Sequence, residues 1–417
     1  MRSTSPKILI YSHDSFGLGH LRRCRAIAHS LVGTFDTLSV MILSGSPIIG
    51  SFEFRSRVDF VRIPGVIKLR DGEYTPLSLH LNIDHTLEIR ASIIEHTAKV
   101  FEPDVFIVDK EPLGLRGEVL QTLEALKETD TRLVLGLRDV MDDPDVLREE
   151  WDRKNVYPAL QELYDEIWVY GPEGICDPLD GLELGEGVRE KLRYTGYLRR
   201  DLPDNLKHQP FSSPFGEEPY ILVTPGGGGD GVEMVDWVIR AYEARNRPLF
   251  PALVILGPFM PAAAVQDFTD RAEHLRDVEI IRFTPQIEPY LANATAIVGM
   301  GGYNTFCEIL SFDKPTLMVP RIIPRREQAI RADRAEKSGL LRVLPIDNYP
   351  DTSLMANALA ELPQMPRPSA AGIENLLDGL DTIGARVGEI FEDHRSARLA
   401  EKLVPLNGLA ARATSVN

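Results

Sequence analysis

The sequence predicts an α/β protein built from two doubly wound halves that face one another across a cleft. Three observations lead there. Short apolar runs of the kind buried on both faces of a parallel sheet recur along the chain, from KILIYS at 7–12 to AIVG at 296–299, with amphipathic helical segments between them. Two of these runs pass through glycines directly into a helix: the first continues as HDSFGLGH, and YILVT at 220–224 continues as PGGGGDG. Strand, glycine turn and helix in that order open a Rossmann-like unit. The length of 417 residues exceeds a single ordinary core and divides into two units of about 200 residues each.

Composition narrows the class. Hydrophobic content of 43% and charged content of 26% are those of a globular protein. A net charge of −16, from 62 acidic and 46 basic residues, argues against a general nucleic-acid surface or an anionic-membrane surface, since either needs a basic face. An anionic ligand must then be held by local groups. Cys24, Cys176 and Cys307 are widely separated, without metal spacing or an even-numbered framework, which fits a reducing compartment. The start MRSTSPKILIYSHD has no long apolar core, and no run of about 18 apolar residues occurs. The expectation is a cytoplasmic protein with no membrane span, peripheral membrane contact being left open.

In the first half, Gly17 and Gly19 let the backbone turn beside a ligand, and His13 and His20 stand at the strand end and at the helix start. Of Arg22 and Arg23, one is read as a phosphate-steering group and the other as a solvated helix charge. Strands follow at 38–43 and 59–64, then an aperiodic stretch at 68–82 read as a long binding loop, and a helix at about 84–100. PDVFIVDKEP and RLVLGLRDVMDDP place Asp109, Lys110 and Glu111, then Arg138 and Asp139, at the carboxyl ends of buried strands, where open α/β sheets bind ligands. The carboxylates Asp139, Asp142, Asp143 and Asp145 lack the spacing of a hard-cation loop and are read as solvated. EIWVYGP (166–172) and LRYTGYL (192–198) complete a first domain at 1–200, and the proline-rich stretch 201–217 is read as an exposed linker.

The second domain, 218–379, opens on Gly226, Gly227, Gly228 and Gly229. Bare backbone between a buried strand and a helix makes an anion cradle, although no Gly-Lys-Ser/Thr follows as in a P-loop. The βα alternation continues through 252–258, 278–285 and 296–299. It then reaches Gly301 and Gly302 at the mouth of a helix carrying Thr305 and Glu308 on one face. PTLMVP leads on to Arg325, Arg326, Glu327 and Gln328, a set suited to a polyhydroxylated ligand. Residues 380–417 read as a helix and tail.

The pattern GGYNTxxE, then KPxLxVP, then REQxxRA resembles the donor-binding half of family 28 glycosyltransferases over roughly residues 220 to 341. That resemblance implies the GT-B fold, with a nucleotide-sugar in the cleft between two Rossmann-like domains and with the C-terminal helix and tail, here 380–417, crossing back to the first domain. It assigns the donor ribose to Glu308, the donor sugar to Glu327 and Gln328, and the nucleobase to backbone groups at Phe283–Gln286. Many relatives carry an arginine just before the glycine turn, where this chain has Met300. GxGHxxR at 17–23 resembles both these transferases and a group of nucleotide-sugar hydrolases, and it implies that His20 activates an acceptor hydroxyl or a water.

The chemistry agrees, because transfer from an anomeric carbon needs a base and imidazole titrates near operating pH. The structural alternative is that His20 only caps its helix. The expected function is an inverting, metal-independent transfer of a hexose or N-acetylhexosamine from a nucleotide-diphosphate sugar, a UDP-sugar by preference, to a saccharide or lipid-linked acceptor in envelope or polysaccharide synthesis. His20 would be the base. Gly226 to Gly229, Gly301, Gly302, Thr305, Glu308, Arg325, Glu327 and Gln328 would hold the donor, and His13, Gly17, Gly19, Asp109, Arg138 and Asp139 would face the acceptor. No cofactor, metal or nucleic acid is expected. The rivals are a nucleotide-sugar hydrolase, a nucleotide-sugar 2-epimerase and a non-catalytic nucleotide-sugar binder.

Overall fold

The computed structural model describes residues 5–13, 19–69, 73–203, 206–207, 210–227, 229–244, 247–349 and 351–410. Gly17 and Gly228 lie outside the described residues.

The strands of the first half are β1 (Lys7–Ser12), β2 (Ser39–Ser44), β3 (Val58–Arg62), β4 (Val66–Lys68), β5 (Tyr74–Pro76), β6 (Val105–Asp109), β7 (Arg132–Arg138), β8 (Glu166–Tyr170) and β9 (Leu192–Tyr194). Seven of them form one parallel sheet in the order β3-β2-β1-β6-β7-β8-β9. The second half has β10 (Ile221–Thr224), β11 (Ala252–Ile255), β12 (Val278–Ile281), β13 (Ala296–Gly299), β14 (Thr316–Met318) and β15 (Arg342–Val343), in a second parallel sheet of order β12-β11-β10-β13-β14-β15. The apolar runs became strands because both sheet faces are covered: every residue of β6, β8, β10, β11 and β13 is buried.

In each sheet the strand order reverses beside the first strand. The crevice at the carboxyl ends there is where this fold class takes ligands. The switch lies between β1 and β6 in the first sheet and between β10 and β13 in the second, so the segments after these four strands converge on one cleft.

One expectation about the connections needs correction. The stretch 68–82, read as a long loop, contains β5, which pairs with β4 just before it as an antiparallel hairpin with Val66 opposite Pro76. The two strands are only three residues each, too short to show a period. The linker 201–217 has no buried residue among those described, and the residue before it is pinned: Arg200 is buried and donates from its backbone N–H to Ser311 Oγ at 2.8 Å. A bridge between Leu198 and Asp378 brings the chain end to the same place. The last helix, Gly379–Ala410, then packs on the first helix of the chain, Gly19–Thr34, with Phe391 edge-on to Phe35 at 5.4 Å between ring centres.

Candidate active site

His20 is the second residue of the helix Gly19–Thr34, and Asp109 ends β6, the sheet neighbour of β1. The topology thus brings together two residues 89 positions apart, and His20 Nδ1 lies 2.5 Å from Asp109 Oδ2. One turn further along the helix, Arg23 donates from Nε to Asp109 Oδ1 (2.8 Å) and from Nη2 to Oδ2 (2.7 Å). This bidentate guanidinium outweighs the burial of Asp109 and holds its carboxyl well below the ordinary carboxylate range. The carboxylate is therefore ionised, which puts the imidazole hydrogen on Nδ1 and leaves Nε2 as the free lone pair. Burial lowers the His20 pKa to about 4, with Asp109 opposing the shift.

His13 stands edge-on to His20, 5.6 Å between ring centres. Its Nδ1 is 3.4 Å from the hydroxyl of Tyr11, which itself donates to Glu118 at 2.5 Å. Burial pushes the His13 pKa well down. Lys110 and Glu111 pair with each other at 3.1 Å.

The opposite wall of the cleft is the second half's glycine turns. The helix Tyr303–Ser311 starts behind Gly302, which supplies no side-chain cap, so its first N–H groups stay available to an anion. Asn304 in that first turn donates to the Gly19 carbonyl at 2.9 Å and accepts from Arg200 at 3.0 Å. Those bonds hold the turn against the start of the His20 helix. Glu308, one turn on, is 1% exposed. Arg22 Nη2 approaches its Oε1 to 2.5 Å at an angle that leaves that oxygen without a hydrogen bond. Burial raises the Glu308 pKa, Arg22 opposes the shift, and the like charge of Glu288 adds to it.

Glu327 accepts from Arg321 at 2.5 Å through Oε1, while its buried Oε2 has no partner. Gln328 donates to the Met300 carbonyl (2.7 Å) and accepts from Arg321 Nε (3.1 Å). Arg321 also pairs with Asp230.

A cleft of about 290 Å³ is lined by Gly19, His20, Arg22, Arg23 and Arg138 from the first half and by Gly226, Gly227, Gly302, Thr305, Glu308, Glu327 and Gln328 from the second. Phe283, Thr284 and Pro285 form its far wall. A larger groove of about 800 Å³, around Asp139, Asp142, Asp177 and Arg334, is lined by neither His20 nor any glycine of the phosphate turns, so the chemistry lies with the smaller one.

Several expected site residues stand elsewhere. Arg325, placed with the donor groups, does not line this cleft; it pairs with Asp142 (3.6 Å) and Glu150 (3.2 Å) of the first half. Asp139, placed toward the acceptor, is fully buried on Arg331, and Asp109 is committed to His20 and Arg23. Of the acidic loop read as solvated, Asp142 accepts from the Arg326 backbone at 3.2 Å and Asp143 caps the helix Pro144–Lys154 through the Asp145 N–H, while the Asp145 side chain is exposed, as expected. These partners come from the other half of the chain or from a cap, which spacing in one segment does not reveal. Arg321, Asn304 and Arg200 were not anticipated, although Asn304 lies inside the GGYNTxxE run. Among the described residues, no group of three or more His, Cys, Asp or Glu side chains is placed to hold a metal ion.

Residues 252–375 match the glycosyltransferase family 28 C-terminal domain. An uncharacterised glycosyltransferase of Methanosarcina mazei is 24% identical over 359 residues, covering 84% of this chain and 88% of its own length. One from Methanosarcina acetivorans is 24% identical over 360 residues, with coverage of 84% and 88%. Among solved structures, the calicheamicin glycosyltransferase CalG4 superposes with a TM-score of 0.59 at 16% identity, covering 94% of this chain and 98% of that one. MurG of Acinetobacter baumannii does so with 0.54 at 12% identity, covering 93% and 99%. With two parallel sheets meeting at their switch points, the chain has the GT-B fold of these glycosyltransferases, and most of its second half matches a family 28 C-terminal domain.

Proposed function

We propose that the chain is an inverting, metal-independent transferase that moves a hexosyl or N-acetylhexosaminyl group from a nucleotide-diphosphate sugar to an acceptor hydroxyl. The observation that carries this reading is His20, oriented by Asp109 at 2.5 Å, in the same cleft as the glycine turns and Glu308. With Nδ1 engaged, Nε2 takes the proton of the acceptor hydroxyl as its oxygen attacks the anomeric carbon. The bond from that carbon to the diphosphate oxygen breaks, and its electron pair leaves with the nucleoside diphosphate. A single displacement with one base inverts the anomeric centre. The free N–H groups behind Gly302 and the glycines after β10 take up the departing negative charge, the task a metal performs in other transferases. Glu308 accepts from the ribose hydroxyls, and Glu327 and Gln328 meet the donor sugar.

The test is a mass-spectrometric turnover assay with UDP-, GDP- and dTDP-sugars in EDTA, with and without cell-envelope extract, beside His20→Ala and Glu308→Ala. Nucleoside diphosphate release that depends on extract and is lost in both variants supports transfer. Rapid release without extract points to hydrolysis by the same cleft. Donor binding without turnover leaves a binding protein.

A further inference from the structure

The cleft is lined by four arginines, and three of them are neutralised by the protein itself. Arg22 lies against Glu308, Arg23 against Asp109, and Arg321 against Asp230 and Glu327. Arg138, at the carboxyl end of β7, makes no hydrogen bond or ion pair with any described residue, and its Nε is buried without a partner. Its charged neighbours are of both signs. Burial and the guanidinium groups of Arg23 and Arg331 lower its pKa to about 10, against the opposing carboxylates of Glu327 and Asp139. Arg138 is partly exposed to the cleft while its Nε is buried, and a guanidinium nitrogen desolvated without a partner is costly unless a bound group completes it. Across the same cleft stand the glycine turns, whose backbone offers N–H groups but no side-chain cation: Gly226 and Gly227 follow Pro225, and Gly301 and Gly302 lie between Met300 and Tyr303.

We propose that Arg138 is the cation that binds the donor diphosphate, reaching it from the first half while the glycine turns hold it from the second. This rests on the nucleotide-sugar reading above and moves Arg138 from the acceptor side to the donor. A planar guanidinium offers paired donors to phosphate oxygens. When the bond from the anomeric carbon to the β-phosphate oxygen breaks and the electron pair stays on that oxygen, the charge grows where Arg138 waits, so the interaction strengthens in the transition state. The cation also comes from the half that carries His20, which makes the phosphate site complete only when the two halves close on each other. Glu327, facing Arg138 with an unpartnered Oε2, disfavours a second anion such as a sugar carboxylate at that wall.

The experiment is calorimetric titration of the full-length protein and its Arg138→Gln and Arg138→Lys variants with UDP, dTDP and GDP and with the matching monophosphates, alongside turnover. Wild type binds its diphosphate on the order of 10- to 100-fold tighter than the monophosphate, as charge-assisted hydrogen bonds imply. Arg138→Gln loses most of that preference, keeps its monophosphate affinity and melting temperature, and loses on the order of 100-fold in kcat; Arg138→Lys recovers part of both. Undiminished diphosphate preference in Arg138→Gln overturns the inference while leaving the donor reading intact. Equal loss for monophosphate and diphosphate also overturns it, because the arginine would then serve the nucleoside or the fold. If wild type binds none of these nucleotides, the donor reading falls and this inference falls with it.

Discussion

Arg331 and Asp139, one from each half of the molecule, form an ion pair with no solvent exposure on either side chain. Arg331 Nε reaches both carboxylate oxygens at 3.1 and 2.8 Å, and Nη2 adds a third bond at 2.6 Å. The Tyr197 hydroxyl donates to Asp139 at 3.1 Å, and Arg331 Nη1 donates to the Gly301 carbonyl at 2.9 Å. The acid that follows β7 is thereby tied to the glycine that opens the Glu308 helix. Gly301 has a φ of 87°, left-handed backbone that glycine adopts freely.

The pair sets a stability prediction. Removing one partner leaves the other charged and dry, a loss of about 3–5 kcal/mol. Asp139→Asn and Arg331→Met should each lower the urea midpoint accordingly. The double replacement Asp139→Leu with Arg331→Met should recover much of the loss, since two apolar groups leave no buried charge. Single variants that unfold together with wild type would show that the pair does not hold the halves together.

The base makes a pH prediction. With the His20 pKa lowered to about 4, the neutral, proton-accepting form persists well below the ordinary histidine range of about 6.5. The acid limb of kcat/KM should therefore fall near pH 4 to 5. The sign for stability is the same. Above about pH 6.5 the group is neutral whether folded or unfolded, and from there down toward 4 only the unfolded chain takes up the proton, so stability falls as pH falls. Asp109→Asn should cost on the order of 10²- to 10⁴-fold in kcat by releasing the imidazole orientation. A limb at pH 6 to 7 that disappears in His20→Ala would contradict the buried, neutral base.

The two Rossmann-like halves and their glycine turns were legible because each rests on a local pattern, a buried run followed by glycine and a helix. His20 and Glu308 were legible for the same reason, each lying at a fixed offset from such a turn. The partners of these residues were not. Asp109 with His20, Arg22 with Glu308 and Asp139 with Arg331 are separated by 89, 286 and 192 positions, and only the parallel topology and the meeting of the halves bring them together. The acidic loop at 139–145 shows the same limit. Its charges look solvated in sequence, yet arginines more than 180 residues away pair with Asp139, Asp142 and Asp143, and only Asp145 stays in solvent.

Glu308 makes a prediction about ribose. Its carboxylate is buried against Arg22, yet Oε1 has no hydrogen-bond partner, and the vicinal hydroxyls of a bound ribose would supply one. Glu308→Gln should raise the donor KM on the order of 10- to 100-fold. It should also erase most of the preference for a ribonucleotide over its 2′,3′-dideoxy analogue. Retention of that preference in Glu308→Gln would place the ribose elsewhere.

Gly257 offers a test of how the phosphate turn is supported. It follows β11 with a φ of 90°, and a Cβ there would run into the Gly226 carbonyl oxygen and the backbone of Gly227. The Phe259 N–H donates to the Gly227 carbonyl at 3.0 Å from the same bend, so the 257–259 segment is the floor on which the glycines after β10 lie. Gly257→Ala must strain a left-handed residue by about 1–2 kcal/mol and push the turn toward the cleft. Gly185→Ala meets nothing within 4 Å and serves as the control. The expected result is a melting temperature a few degrees lower for Gly257→Ala, with the affinity for nucleoside diphosphate down by on the order of 10-fold or more and the control unchanged. If Gly257→Ala lowers the melting temperature while diphosphate affinity holds, the bend supports the sheet alone, and the phosphate turn keeps its shape without it.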